Sequence, residues 1–193
     1  MAKRRVDNRW NDVRTVLASH DSVKLMNLVR DLYVLNQENR NFLNARYLAS
    51  EDRLGPHKKM IEESIYPDIY SNKPVRISLA KKAISQYTKA TNDVAGTLEL
   101  MVYFVERGTK FTADCGDIDE AFYSSLESMF GRVLDTLKRS APEVMACFLP
   151  RLTAIRDTAD GIGWGYHDYL CDALSEAFPI VDEDVDKATT ISS

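Results

Sequence analysis

Glycine and proline are scarce in this 193-residue chain, at 8 and 6, and β-branched alternation is rarer still. Strands need a period of two broken by turn residues, so a sheet-based fold is not expected. The three cysteines, Cys115, Cys147 and Cys171, are an odd number without a short-spaced pair. That is no disulfide framework, and it predicts free thiols in a reducing compartment. No stretch approaches the uninterrupted apolar length of a membrane span. Lys3, Arg4 and Arg5 open the chain, but no apolar run follows them, so no secretory leader is expected and a cytoplasmic protein is. Excess positive charge is also missing: 25 basic residues against 29 acidic leave a net charge of −4, which argues against a protein covered in nucleic-acid-binding surface.

What the chain does have is a recurring period near 3.6. Trp10, Val13, Val16 and Leu17 share one face of a first helix over 7–19. Asp21 or Ser22 can cap the next, in which Leu25, Leu28, Val29, Leu32 and Tyr33 form a stripe. Asn36 caps a third, with Phe42, Leu43, Ala45 and Leu48 expected to point inward. Gly55 and Pro56 break the chain before a short helix carrying Met60, Ile61 and Ile65, which ends ahead of Pro67. Ser78 is the expected cap of a helix with Leu79, Ala83, Ile84 and Tyr87 on its apolar face. A further helix from about Asn92 uses Leu98, Met101, Phe104 and Val105.

The strongest pattern runs from Asp117, with Phe122, Leu126, Met129, Phe130, Val133, Leu134 and Leu137 on one stripe. Asp117 and Glu120 have the spacing of a capping box. Pro142 suits the first turn of a helix carrying Val144, Phe148, Leu152 and Ile155. A turn from Gly161 to Gly165 leads into a last helix through Leu170, Leu174 and Phe178. Residues 102–112 also suit half of a hairpin, but a lone hairpin needs a partner sheet, so helix is expected there. The result is an all-α fold, a single compact domain of about nine helices over 7–179. A flexible basic segment, 1–6, precedes it, and a disordered acidic tail, 180–193, follows.

Several stretches carry a resemblance. They are Leu32 to Asn36, Glu38 to Leu43 with Arg46, Tyr66-Pro67, Lys81 to Ile84, Gly116 to Phe122, and Gly161 to Asp168. Together they resemble a bacterial family known only as a domain of unknown function, which implies a bacterial or phage-like source, a helical fold and no stated activity. Phe148 to Leu152, Ile155 to Asp157 and Tyr169 to Leu174 are similar to one HEAT-type helix pair. That similarity implies HEAT- or armadillo-like antiparallel pairs, although no recurring period spans several units.

The candidate chemistry is thin. Gly161, Gly163 and Gly165 do not keep the spacing of a dinucleotide loop, and a helix precedes them where a strand is needed. Trp164 in that turn is a packing anchor or a partner contact. His167 and Cys171 lie one helical turn apart beside Asp168, too few ligands for zinc and without the third group of a nucleophile pair. Asp114, Asp117, Asp119 and Glu120 lack the order of a calcium loop and suit a helix start. No acidic residue occurs from Ile69 to Asn92, where Lys73, Arg76, Lys81, Lys82 and Lys89 gather. Lys81, Lys82 and Lys89 share one helix face, suited to phosphate or an acidic surface, but no aromatic residue sits there to stack bases.

The leading expectation is a non-enzymatic scaffold or adaptor that binds another protein, with Trp164, His167, Asp168, Arg76, Lys81, Lys82 and Lys89 as candidate contacts. A nucleic-acid accessory factor using residues 73–89 is the second, and a small hydrolase or metal enzyme using His167 and Asp168 the third. No cofactor, metal or membrane partner is expected.

Overall fold

The computed structural model describes residues 2–48, 53–67 and 73–179, with side chains from residue 9 onward. Among these residues there are nine helices and no strand. In order they are α1 (Ala2–Ala18), α2 (Ser22–Leu35), α3 (Gln37–Tyr47), α4 (Gly55–Ile65), α5 (Ile77–Thr91), α6 (Val94–Cys115), α7 (Glu120–Leu137), α8 (Pro142–Thr158) and α9 (Tyr166–Ala177). The acidic tail expected at 180–193 lies outside the described residues, as do residues 68–72. Two compact units divide the chain, residues 1–49 and 50–193.

Local chemistry explains most helix ends. The carboxylate of Asp21 accepts from Lys24 N at 2.8 Å, and the side chain of Asn36 accepts from Asn39 N at 2.8 Å; each satisfies a first-turn N–H that has no helical partner. Pro142 stands at the start of α8, where a missing N–H costs nothing. Four expected starts move. The first helix, expected over 7–19, begins at Ala2. The cap of α7 is Asp119, which accepts from Phe122 N at 2.8 Å, while Asp117 instead accepts from the Tyr123 hydroxyl at 2.8 Å. Helix α5 begins at Ile77 on Arg76, without a side-chain cap, so Ser78 falls inside its first turn. Asn92 ends α5 rather than opening α6; its φ of 52° is a left-handed stop that asparagine tolerates. Asp93 caps α6 in its place.

Residues 102–112 are helical, inside α6. They can be because α6 is buried on more than one face: Leu100, Met101, Val102, Phe104 and Val105 are all shielded from water. A helix apolar over most of its circumference belongs in a core, and α6 packs against α4, α5, α7 and α8. Two glycines bring neighbours close. A Cβ at Gly108 would stand 2.3 Å from Leu126 of α7, and one at Gly96 2.3 Å from the Tyr87 hydroxyl of α5.

The first unit is the opposite case. Of its residues with described side chains only Ala45 is buried. Phe42 and Leu48, expected to point inward, are exposed, and the stripes of α1 and α2 meet water along most of their length.

Two predictions follow from the body's core. Leu126→Ala removes a fully buried side chain between α6 and α7, and we expect unfolding in urea to show a loss of about 2–5 kcal/mol. His57 is buried, with Nδ1 3.1 Å from the Ala83 carbonyl. Burial pushes its pKa below the usual 6.5, although the Ala83 bond works the other way. The unfolded chain therefore binds the extra proton first, so His57 reduces stability as pH falls below about 6.5. In His57→Phe, that part of the pH dependence between about pH 5 and 7.5 should vanish from the unfolding free energy.

Candidate interaction surfaces

Helix α2 carries seven apolar residues, Leu25, Met26, Leu28, Val29, Leu32, Tyr33 and Leu35, within roughly 180° of its circumference at 100° per residue. One neighbour covers only part of so wide a stripe. That neighbour is α3, joined to α2 through Asn36 and through Asn39, whose side-chain amide donates to the Leu32 carbonyl at 2.7 Å. Between them lies a groove of about 780 Å³, walled by Met26, Val29 and Tyr33 on one side and Leu43, Tyr47 and Leu48 on the other, with Arg30 its one charged residue. Arg46 stands over Phe42 and Tyr47, 5.9 and 6.0 Å from the ring centres. The Arg40 Nε is shut away from water without a hydrogen-bond partner among the described residues. Trp10 is 56 % exposed, Met26 68 % and Tyr47 72 %.

The glycine–tryptophan turn takes a different form from a core anchor. Gly161 and Gly165 have φ of 77° and 69°, and Trp164 itself has 63°, a conformation costly for a bulky side chain. Trp164 is 58 % exposed and lies against the ring of Tyr123, 6.5 Å between centres. Tyr123 in turn shares hydrogen bonds with Thr112 and Asp117. The acids of 114–120 have separate tasks: Asp114 accepts from Tyr66 at 2.7 Å, Asp117 from Tyr123, and Asp119 caps α7. His167 Nε2 is 3.6 Å from Cys171 Sγ, and burial pushes the Cys171 thiol up, the reverse of an activated nucleophile. Asp168 is exposed, with its carboxylate 3.9 Å from His167. Among the described residues no three His, Cys, Asp or Glu side chains cluster as metal ligands.

The basic residues of α5 and its approach are solvent-facing: Lys73, Arg76, Lys82 and Lys89 are exposed, and Lys81 is half-buried. Burial and then the Arg132 guanidinium of α7 pull the Lys81 pKa down. Arg76 is tied by its backbone, donating to the Ser64 carbonyl at 2.7 Å.

An ion network on α6 was not read from the sequence. Arg151 of α8 donates Nε and Nη2 to the two oxygens of Glu106, each at 2.7 Å, and Nη1 to Glu99. Lys58 reaches the other oxygen of Glu99 at 2.7 Å. Burial alone would raise the Glu99 carboxyl, but Arg151 and Lys58 hold it below its ordinary range. On the same side, Tyr103 and Arg107 both donate to Glu62, and burial followed by that bond pushes Tyr103 up to about 12. The seven-residue spacing of Glu99 and Glu106 places both on one helix face; that spacing was the available signal. Every carboxylate here has a cation, so the network is a clamp between helices.

Comparison with protein-family models, curated proteins and solved structures gives no match. No helix among the described residues is long and apolar enough to cross a membrane.

Arg151→Gln leaves Glu99 and Glu106 without their shared cation in a half-buried setting. We expect a loss of about 1–3 kcal/mol at neutral pH, between the values for exposed and buried pairs. The loss should shrink as pH falls below about 4.5, the ordinary value for Glu99, because protonation then removes the charge that needed pairing.

Proposed function

We propose that this chain is a non-enzymatic interaction protein, an adaptor whose docking surface is the apolar face of α1, α2 and α3. One observation carries the reading. Of the eighteen large hydrophobic side chains exposed among the described residues, fifteen belong to residues 10–48. Exposed apolar side chains concentrated in one segment, with a groove between two of its helices, mark an interaction site. The groove between α2 and α3 has the shape that accepts an amphipathic helix. The described residues of 50–193, by contrast, bury most of their large apolar side chains and pair the half-buried charges of α6, which suits a carrier. This moves the candidate contacts away from Trp164, His167 and Asp168 and onto residues the sequence assigned to a core.

A second reading keeps the nucleic-acid role for Arg76, Lys81, Lys82 and Lys89. Its support is the juxtaposition of Lys81 with Arg132, two like charges gathered from different helices.

The test compares the tagged chain with a Val29→Asp/Leu32→Asp variant in affinity capture from the expressing cell. Proteins recovered by the wild type and lost with the variant support the adaptor reading; identical recoveries overturn it. Titration with RNA and DNA at low and high salt serves the second reading. Binding that weakens steeply with salt and is lost in Lys81→Glu/Lys82→Glu would favour it.

A further inference from the structure

We infer that the groove between α5 and α7 binds a small phosphate monoester, held by Arg76 and Lys81 on one side and Arg132 on the other. The site goes beyond the adaptor reading and uses a different surface. Both helices lie within residues 50–193. That unit holds sixteen basic and twenty-four acidic side chains, a net −8, and many of its cations are paired. Lys58, Arg107, Lys110 and Arg151 each reach a carboxylate. Among the described residues Arg76, Lys81 and Arg132 reach none. The Arg132 guanidinium instead lies 3.9 Å from the Met129 sulfur. Gathering cations without a counter-charge is unfavourable, and an anion between them relieves it.

The two helices bring these groups to one place. Where α5 and α7 begin, they enclose a hollow of about 360 Å³, with Arg76, Ile77 and Ser78 on one wall and Ala121, Phe122 and Ser125 on the other. Asp119 also borders it, but its carboxylate is engaged by the Phe122 N–H as the cap of α7. At 100° per residue, Ser125 and Arg132 lie within about 20° of one another on α7. They are on the edge away from Gly131, which faces Tyr169 of α9. Lys81 follows Ile77 by one turn. It is half-buried, and the Arg132 charge acts on it. Side chains on a helix lean toward its N-terminus, which aims Lys81 and Arg132 back toward the hollow. Two guanidinium forks, an ammonium and the hydroxyls of Ser78 and Ser125 are the donors that phosphate oxygens accept from.

Size and charge favour a small ligand over a polymer. The hollow is at the small end of the range for ligand pockets, and Ile77 and Phe122 give it apolar wall for a short carbon body. The net −8 of the unit repels an extended polyanion, and the one aromatic residue of α5, Tyr87, is buried and stacks no base. A monoester carries about −1.5 to −2 charge at pH 7, so one group meets two cations at once.

The experiment is nuclear magnetic resonance titration of the isotope-labelled full chain with inorganic phosphate and with ribose 5-phosphate, at ionic strength held constant by chloride. Ribose is the uncharged control. We expect saturable amide shifts centred on residues 76–82 and 118–132, half-complete at about 1 mM or below, tighter for ribose 5-phosphate than for phosphate and absent for ribose. Lys81→Gln/Arg132→Gln should weaken binding more than tenfold, and Lys89→Gln on the outer face of α5 should leave it unchanged. The urea midpoint checks that the double variant is folded; Arg76→Gln, at an exposed position ahead of α5, carries the same expectation if it is not. No saturable shift with either probe overturns the inference, as does a folded variant that binds undiminished. Shifts as large at Lys24 and Lys59 as in the groove mean an adventitious ion only, and also overturn it. A DNA duplex or an RNA that binds these residues while both monoester probes fail overturns it in favour of a polymer. The adaptor reading stands or falls separately, on capture through Val29 and Leu32.

Discussion

Helix α6 is buried on all sides but one polar stripe, and the arrangement of residues 50–193 follows from having to surround it. A helix whose apolar residues cover all but one stripe of its circumference must find neighbours on several sides. It finds them in α4, α5, α7 and α8, and glycines at 96 and 108 let two of these come close. The Arg151 and Glu62 networks then join α6 to α8 and to α4 where polar side chains emerge from that contact. Hydrophobic burial sets the positions; the ion pairs act on helices already placed. Their role is to keep half-buried carboxylates from being left without a cation, which would cost more than the pairs contribute.

The same demand is unmet in α1–α3. Helix α2 carries an apolar stripe like that of α7, yet Leu28 and Leu32 are still exposed where Leu126 and Val133 are sealed. The chain therefore holds two regimes: residues 50–193 bury most of their described large apolar side chains, and residues 1–49 leave theirs exposed. The adaptor reading proposed above rests on that imbalance.

Much of the fold was legible in the residues. Caps at Asp21 and Asn36, the stripe of α7 and Pro142 at the start of α8 follow from local chemistry and appear as expected. The errors at Asp117, Ser78 and Asn92 are of one or two residues and share a cause. Several polar side chains near each boundary can act as a cap, and tertiary bonds decide between them: Tyr123 claims Asp117 and leaves the cap to Asp119. The surface was less legible. Periodicity shows that a helix has an apolar face, but not whether its own chain covers that face, so Phe42 and Leu48 were assigned to an interior. Chemically conspicuous residues such as His167 and Trp164 drew attention, while plain leucines and valines carry the feature of interest. The Glu99–Arg151–Glu106 clamp was hidden because its partners lie 45 and 52 residues apart.

The central claim is that residues 50–193 close around α6 while the apolar stripes of α2 and α3 stand exposed. Amide hydrogen exchange of the full-length protein tests it most directly. Amides of α6 should be the slowest of the chain to exchange, and those of residues 22–47 should exchange much faster. Protection of α2 and α3 equal to that of α6 would contradict the account.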